Sequence, residues 1–113
     1  MLSTLEKIVL RKIEYFCSGE YYNFDKRFKF IKIVNETITP EEANEFHKQN
    51  LGLLWNEACS LLIVKKVLGI EKFDEQKYNE ILDCSPENLY EKFKIGLKRF
   101  RLTKKMDKLN EDF

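Results

Sequence analysis

Apolar positions recur along this chain at helical spacing from one end to the other, and polar caps or glycines interrupt them. Leu54, Ala58, Leu61, Leu62, Lys65 and Leu68 follow the 3.6-residue period, and Trp55, Cys59, Ile63 and Val67 widen the stripe. This pattern predicts a long helix over 54–68. A helix apolar on more than one face belongs at the centre of its domain. Gly69 ends it as a glycine free to take the left-handed conformation, with Ile70 closing the cap. Asp74 caps a short helix over 75–82 that buries Tyr78, Ile81 and Leu82. Ser85-Pro86-Glu87 supplies a capping hydroxyl, a proline at the first helical position and an acid in the first turn. The helix that follows runs from Pro86 to about Lys104, with Leu89, Phe93, Leu97 and Phe100 on its apolar face.

Upstream, Ser3 and Glu6 have capping-box spacing, and Leu5, Val9, Ile13 and Phe16 continue a helix over 3–18 that Ser18-Gly19 ends. Tyr21, Phe24, Phe28, Ile31, Val34 and Ile38 fit a helical stripe better than the alternation of a strand, so a helix is expected over 24–35. Thr39-Pro40-Glu41-Glu42 opens another, continued by Ala43, Phe46 and Leu51. That helix either runs through to Leu68 or breaks at Asn50 to Gly52. The expected fold is all-α: one domain of five or six helices spanning 1–113, with 109–113 as a frayed tail.

Composition agrees. With 43% hydrophobic and 35% charged residues the chain is globular rather than disordered. An odd number of widely spaced cysteines (Cys17, Cys59, Cys84) argues against a disulfide framework and for a reduced, intracellular compartment. Glu6, Lys7 and Arg11 break up the N-terminal apolar residues, so these do not read as a signal peptide. No apolar run approaches the ~20 residues of a membrane span. Net charge is only +1, yet residues 92–108 hold eight bases against one acid, Asp107, so that segment carries +7 and the remainder −6.

The three C-terminal elements resemble the last three helices of a cyclin box. The residues carrying the resemblance are Ala58-Cys59-Ser60-Leu61-Leu62-Ile63, Gly69-Ile70, Tyr78-Asn79-Glu80-Ile81-Leu82, and Leu89-Tyr90-Glu91-Lys92-Phe93 with Leu97-Lys98-Arg99-Phe100. Repeats of the transcription factor IIB type are similar. So is the smallest subunit of the eukaryotic origin recognition complex, where a tyrosine and a leucine-lysine-x-phenylalanine ending occupy the places of Tyr90 and Leu97 to Phe100. The match spans about residues 54–102. The stretch between Thr39 and Gly52 is short for a second cyclin-box helix. The resemblance implies a cyclin-box-like fold, double-stranded DNA and other subunits of a complex as partners, a role in replication initiation or transcription, and a nuclear location; without it a cytoplasmic one is expected.

The candidate chemistry is non-enzymatic. Lys94, Lys98, Arg101, Lys105 and Lys108 step by four, three, four and three and form one stripe. Together with Arg99 and Lys104 they are the expected nucleic-acid-binding residues, because cations contact phosphates through charge and hydrogen bonds. The same stripe also reads as a solvated face, or as a docking surface for an acidic protein. Lys26, Arg27, Lys29 and Lys32 form a possible second patch on the expected helix over 24–35. His47 stands alone, and no second histidine completes a metal set. Cys59, twelve residues away on an apolar helix, lacks the electropositive surroundings of a nucleophile. No catalytic residue, metal or cofactor is expected. Gly96, inside a helix, implies close packing against another helix. Trp55 reads as a core residue. The main expectation is a DNA-binding and protein-docking module, the alternative a protein-only interaction module such as a cyclin-like adaptor or small inhibitor.

Overall fold

The computed structural model describes residues 2–17 and 24–111; at 24–27 and 110–111 it describes the backbone alone. Among the described residues there are six helices: α1 (Thr4–Cys17), α2 (Phe24–Thr37), α3 (Pro40–Gln49), α4 (Trp55–Lys66), α5 (Glu75–Asp83) and α6 (Pro86–Glu111). The capping chemistry of the sequence sets four of the starts. Ser3 and Glu6 exchange bonds, with the Ser3 amide donating to Glu6 Oε1 at 2.9 Å and the Glu6 amide to Ser3 Oγ at 3.2 Å. Thr39, Asp74 and Ser85 each accept from the amide three residues on. Gly69 takes φ 73, and the Ile70 amide donates to the Val64 carbonyl at 3.2 Å, closing the end of α4.

α1 packs against α2, α4 and α5, while α2 also lies on α6 and α3 on α4. The core therefore sits between α1 and α4, where Val9, Ile13 and Val64 are fully buried, and it extends through Tyr78, Ile81, Leu89 and Phe93. An aromatic row joins α1, α2 and α6: Phe16 to Phe30 at 5.4 Å, then Phe30 to Phe93 edge-on at 5.0 Å between centroids. Lys12 ties α1 to the end of α5, its ammonium 2.7 to 2.9 Å from the carbonyl oxygens of Ile81, Leu82 and Cys84. These are the orphan acceptors of a helix C-terminus, and a cation is their natural partner.

The structure decides one open point and corrects three expectations. The helix starting at Pro40 breaks, since α3 ends at Gln49 and α4 begins at Trp55; Asn50 caps the break, its side-chain amide donating to the Phe46 carbonyl at 2.8 Å. α2 is a helix but turns another face inward: Phe30, Ile33 and Thr37 are buried and Phe28 is exposed. Phe28 and Phe30 differ by about 200° of rotation, both sides of the helix carry apolar residues, and packing on α6 selects between them. Tyr21, Ser18 and Gly19 lie outside the described residues, as does the Phe24 side chain. Trp55 is not core: at the first turn of α4 it is 44% exposed, with its ring edge against His47. Finally, α6 runs on to Glu111, past the end expected near Lys104, because Lys, Met and Leu are good helix formers and nothing after Gly96 breaks the run; Asp112 and Phe113 lie outside the described residues.

Candidate nucleic-acid interface

α6 is 26 residues long, or about 39 Å at 1.5 Å per residue. Its first half is held by the core through Leu89 and Phe93. Every residue from Arg101 to Leu109 is exposed, so the second half projects from the globule. The basic stripe sits where the two halves join.

Packing of α2 on α6 unites the two basic patches that the sequence separates. Phe30 lies edge-on to both Phe93 and Tyr90, and this brings Lys29 beside α6. The ammonium groups of Lys29 and Lys94 then converge on the Tyr90 ring, 5.6 and 5.0 Å from its centroid. Further along α6, Arg101 forms a two-pronged pair with Glu36 of α2, with Nε 2.8 Å from Oε2 and Nη2 2.9 Å from Oε1. These bonds, followed by the charges of Arg101, Lys104 and Lys32, hold the Glu36 carboxyl below its ordinary range. The same pairing raises Arg101, and the hydrogen bond to Glu91 at 2.7 Å raises Lys94.

The site residues expected from the sequence thus divide. Lys94 and Arg101 are paired with carboxylates on the face itself. Arg99 turns away from that face. Its Nη2 donates to the Val67 carbonyl at 3.0 Å, and its guanidinium covers Gly69, where a Cβ would fall 2.8 Å from it. Arg99 thereby caps the end of α4. Lys104 lies over the Phe100 ring at 5.5 Å. Lys98, Lys105 and Lys108 are exposed and form no ion pair among the described residues. From the second patch, Lys29 and Lys32 are exposed and belong to the joined face, while the side chains of Lys26 and Arg27 lie outside the described residues. The sequence did not identify Tyr90 and Glu36 as organisers of this face. Their role comes from contacts across 61 and 65 positions of chain, which periodicity does not register.

The other candidate groups are occupied structurally. His47 Nε2 is 3.1 Å from the Leu53 carbonyl oxygen and buttresses the turn between α3 and α4. Burial pushes the Cys59 thiol up and the Cys17 thiol up to about 12, away from the thiolate that nucleophilic chemistry needs. Among the described residues no group of three His, Cys, Asp or Glu side chains could hold a metal ion, and no helix is long and apolar enough to cross a membrane. Comparisons with protein-family models, with curated proteins and with solved structures find no match to this chain.

Proposed function

We propose that this protein is a non-enzymatic DNA-binding and protein-docking module that lays the joined α2–α6 face on a phosphate backbone. The observation that carries the reading is the convergence of Lys29 with Lys94 on Tyr90, and of Lys32 and Lys104 with Arg101 around Glu36. Two patches of moderate charge thereby become one surface continuous with Lys98, Lys105 and Lys108. Eight cations surround three carboxylates there, Glu36, Glu87 and Glu91, a surplus of five positive charges on a chain whose net charge is +1. Such a face suits backbone contacts rather than base readout. A role in replication initiation or transcription, and a nuclear location, follow from the cyclin-box resemblance alone.

A protein-only reading has its own support. Leu102, Met106 and Leu109 are exposed beside the same lysines, and phosphates have no use for them. In that reading the face docks an acidic protein.

Titration of the folded chain against duplex DNA at several salt concentrations separates the two. A DNA module binds with weak sequence preference and a log–log salt slope of roughly −4, for about four or five phosphates neutralised. Lys29→Glu, Lys32→Glu and Lys104→Glu together abolish that binding without unfolding the chain, because all three side chains are exposed. If the wild type binds duplex more weakly than the nonspecific range of about 10⁻⁴ to 10⁻⁶ M at physiological salt, or with no salt dependence, the DNA reading fails and the acidic-partner reading stands.

A further inference from the structure

Glu36 occupies the edge of Arg101 best suited to an anion. Its carboxylate meets the guanidinium along the Nε–Nη2 edge, through two bonds of 2.8 and 2.9 Å. That edge grips a carboxylate and a phosphate in the same way, with two N–H groups aimed at two oxygens. Lys32, one turn before Glu36 on α2, and Lys104, one turn after Arg101 on α6, act through their charges on the same carboxylate. Cations from two helices thus converge on one anionic point, and the chain itself supplies the anion.

Two features set this pair apart from Glu91 and Lys94. It is the carboxylate–cation pair that joins α2 to α6 among the described residues, whereas Glu91 and Lys94 are neighbours on a single turn. It is also open to water: the side chains of Arg101 and Glu36 are 61% and 41% exposed. An ion pair so exposed adds little to the stability of the fold and can give way to another anion.

We propose that Arg101, Lys32 and Lys104 form a phosphate subsite and that Glu36 is its built-in competitor. A backbone phosphate takes the Nε–Nη2 edge of Arg101 only when the Glu36 carboxylate leaves it. This role rests on the phosphate reading of the α2–α6 face and adds the point at which that face is held in check. The exchange conserves hydrogen bonds, since the same two N–H donors pass from one pair of oxygens to another. It leaves a freed carboxylate beside the phosphate, like charge beside like charge. Glu36 therefore weakens binding in two ways: it occupies Arg101, and it repels the anion that replaces it. Only the first of these needs Arg101.

A double-mutant cycle on Glu36→Gln and Arg101→Met, read by titration with duplex DNA at low salt, tests the proposal. Glu36→Gln keeps the shape of the side chain and removes the competing charge. It is expected to tighten binding about 10-fold when Arg101 is present and only about 2-fold beside Arg101→Met, a difference in keeping with one exposed ion pair. The helical spectra of all variants are expected to match the wild type, because both side chains are exposed. No gain from Glu36→Gln overturns the proposal and leaves the DNA reading standing. So does an equal gain in both backgrounds, the result if a phosphate used the other edge of the guanidinium and left the pair intact. The same cycle with inorganic tripolyphosphate in place of duplex separates the competitor from the DNA reading. A chain that fails to bind duplex but shows the Arg101-dependent gain with tripolyphosphate loses the DNA reading and keeps the subsite with its competitor. A chain that shows the gain with neither probe loses the proposal.

Discussion

Gly96 of α6 lies directly against the backbone of Val67 at the end of α4. A Cβ on Gly96 would fall 2.8 Å from the Val67 carbonyl carbon and 3.0 Å from its Cγ1, and would overlap the carbonyl oxygen. That oxygen is the one Arg99 caps, so the glycine and the arginine one turn later hold the same point of the crossing. Gly96→Ala gains about 1 kcal/mol of helix propensity, yet it must push backbone aside, and a net loss of about 1 to 3 kcal/mol is expected. At Gly52 nothing lies within 4 Å of an added Cβ, so Gly52→Ala is expected to stay within about 0.5 kcal/mol of wild type. Urea titration of both variants checks this; equal stabilities would mean that α6 does not cross α4 at Gly96.

Lys12 is the only tie from α1 to the three carbonyls that end α5 among the described hydrogen bonds. Lys12→Met keeps the apolar stem and removes the ammonium, leaving the half-buried Leu82 and Cys84 carbonyls without this donor, while the Ile81 carbonyl still accepts from the Cys84 thiol at 3.1 Å. A loss of about 1.5 to 3 kcal/mol is expected, read from the thermal midpoint. A variant that melts with wild type would show that water replaces the ammonium without cost.

Phe93 and Trp55 reverse the ranking that their size suggests. Phe93 is fully buried between Phe30 and the body of the core, whereas Trp55 is nearly half exposed. Phe93→Ala is expected to cost about 3 to 5 kcal/mol. Trp55→Ala, which opens no internal cavity, is expected to cost far less. Chemical denaturation of the two variants decides it, and a Trp55 cost equal to that of Phe93 would place the tryptophan in the core after all.

Cys17 gives a pH dependence. Its thiol is pushed from 9.0 up to about 12 by burial, so the folded state keeps the proton that the unfolded chain releases. The stability this contributes is fully present below pH 9 and is lost as the pH rises towards 12. Denaturation at about pH 8 and about pH 10, on either side of the unfolded thiol's titration, is expected to show a different fall for wild type and for Cys17→Ala, which removes the group while leaving the other titrations in place. The unfolded chain binds fewer protons than the folded one in this range, so the wild type is expected to fall more steeply. Parallel falls would show that Cys17 titrates normally.

Local chemistry made much of this molecule legible from the chain alone. The bonds of Ser3, Thr39, Asp74 and Ser85 reach only three residues, and the reversal at Gly69 needs only a missing Cβ, so helix starts and the end of α4 follow from neighbours in sequence. The apolar faces of α1, α5 and α6 were equally plain, because each has a single apolar side in the part that packs. α2 has two, and only its partner α6 decides that Phe30 goes in and Phe28 stays out. The tight crossing at Gly96 was expected from the glycine, but that Val67 lies against it was not. The basic residues show the division most clearly. Their spacing along α6 is a property of the sequence. Which of them remain available is decided by Glu36 reaching Arg101 across 65 positions and by the Val67 carbonyl reaching Arg99 across 32. Those pairings exist because helices pack side by side, and periodicity carries no information about which helix lies alongside.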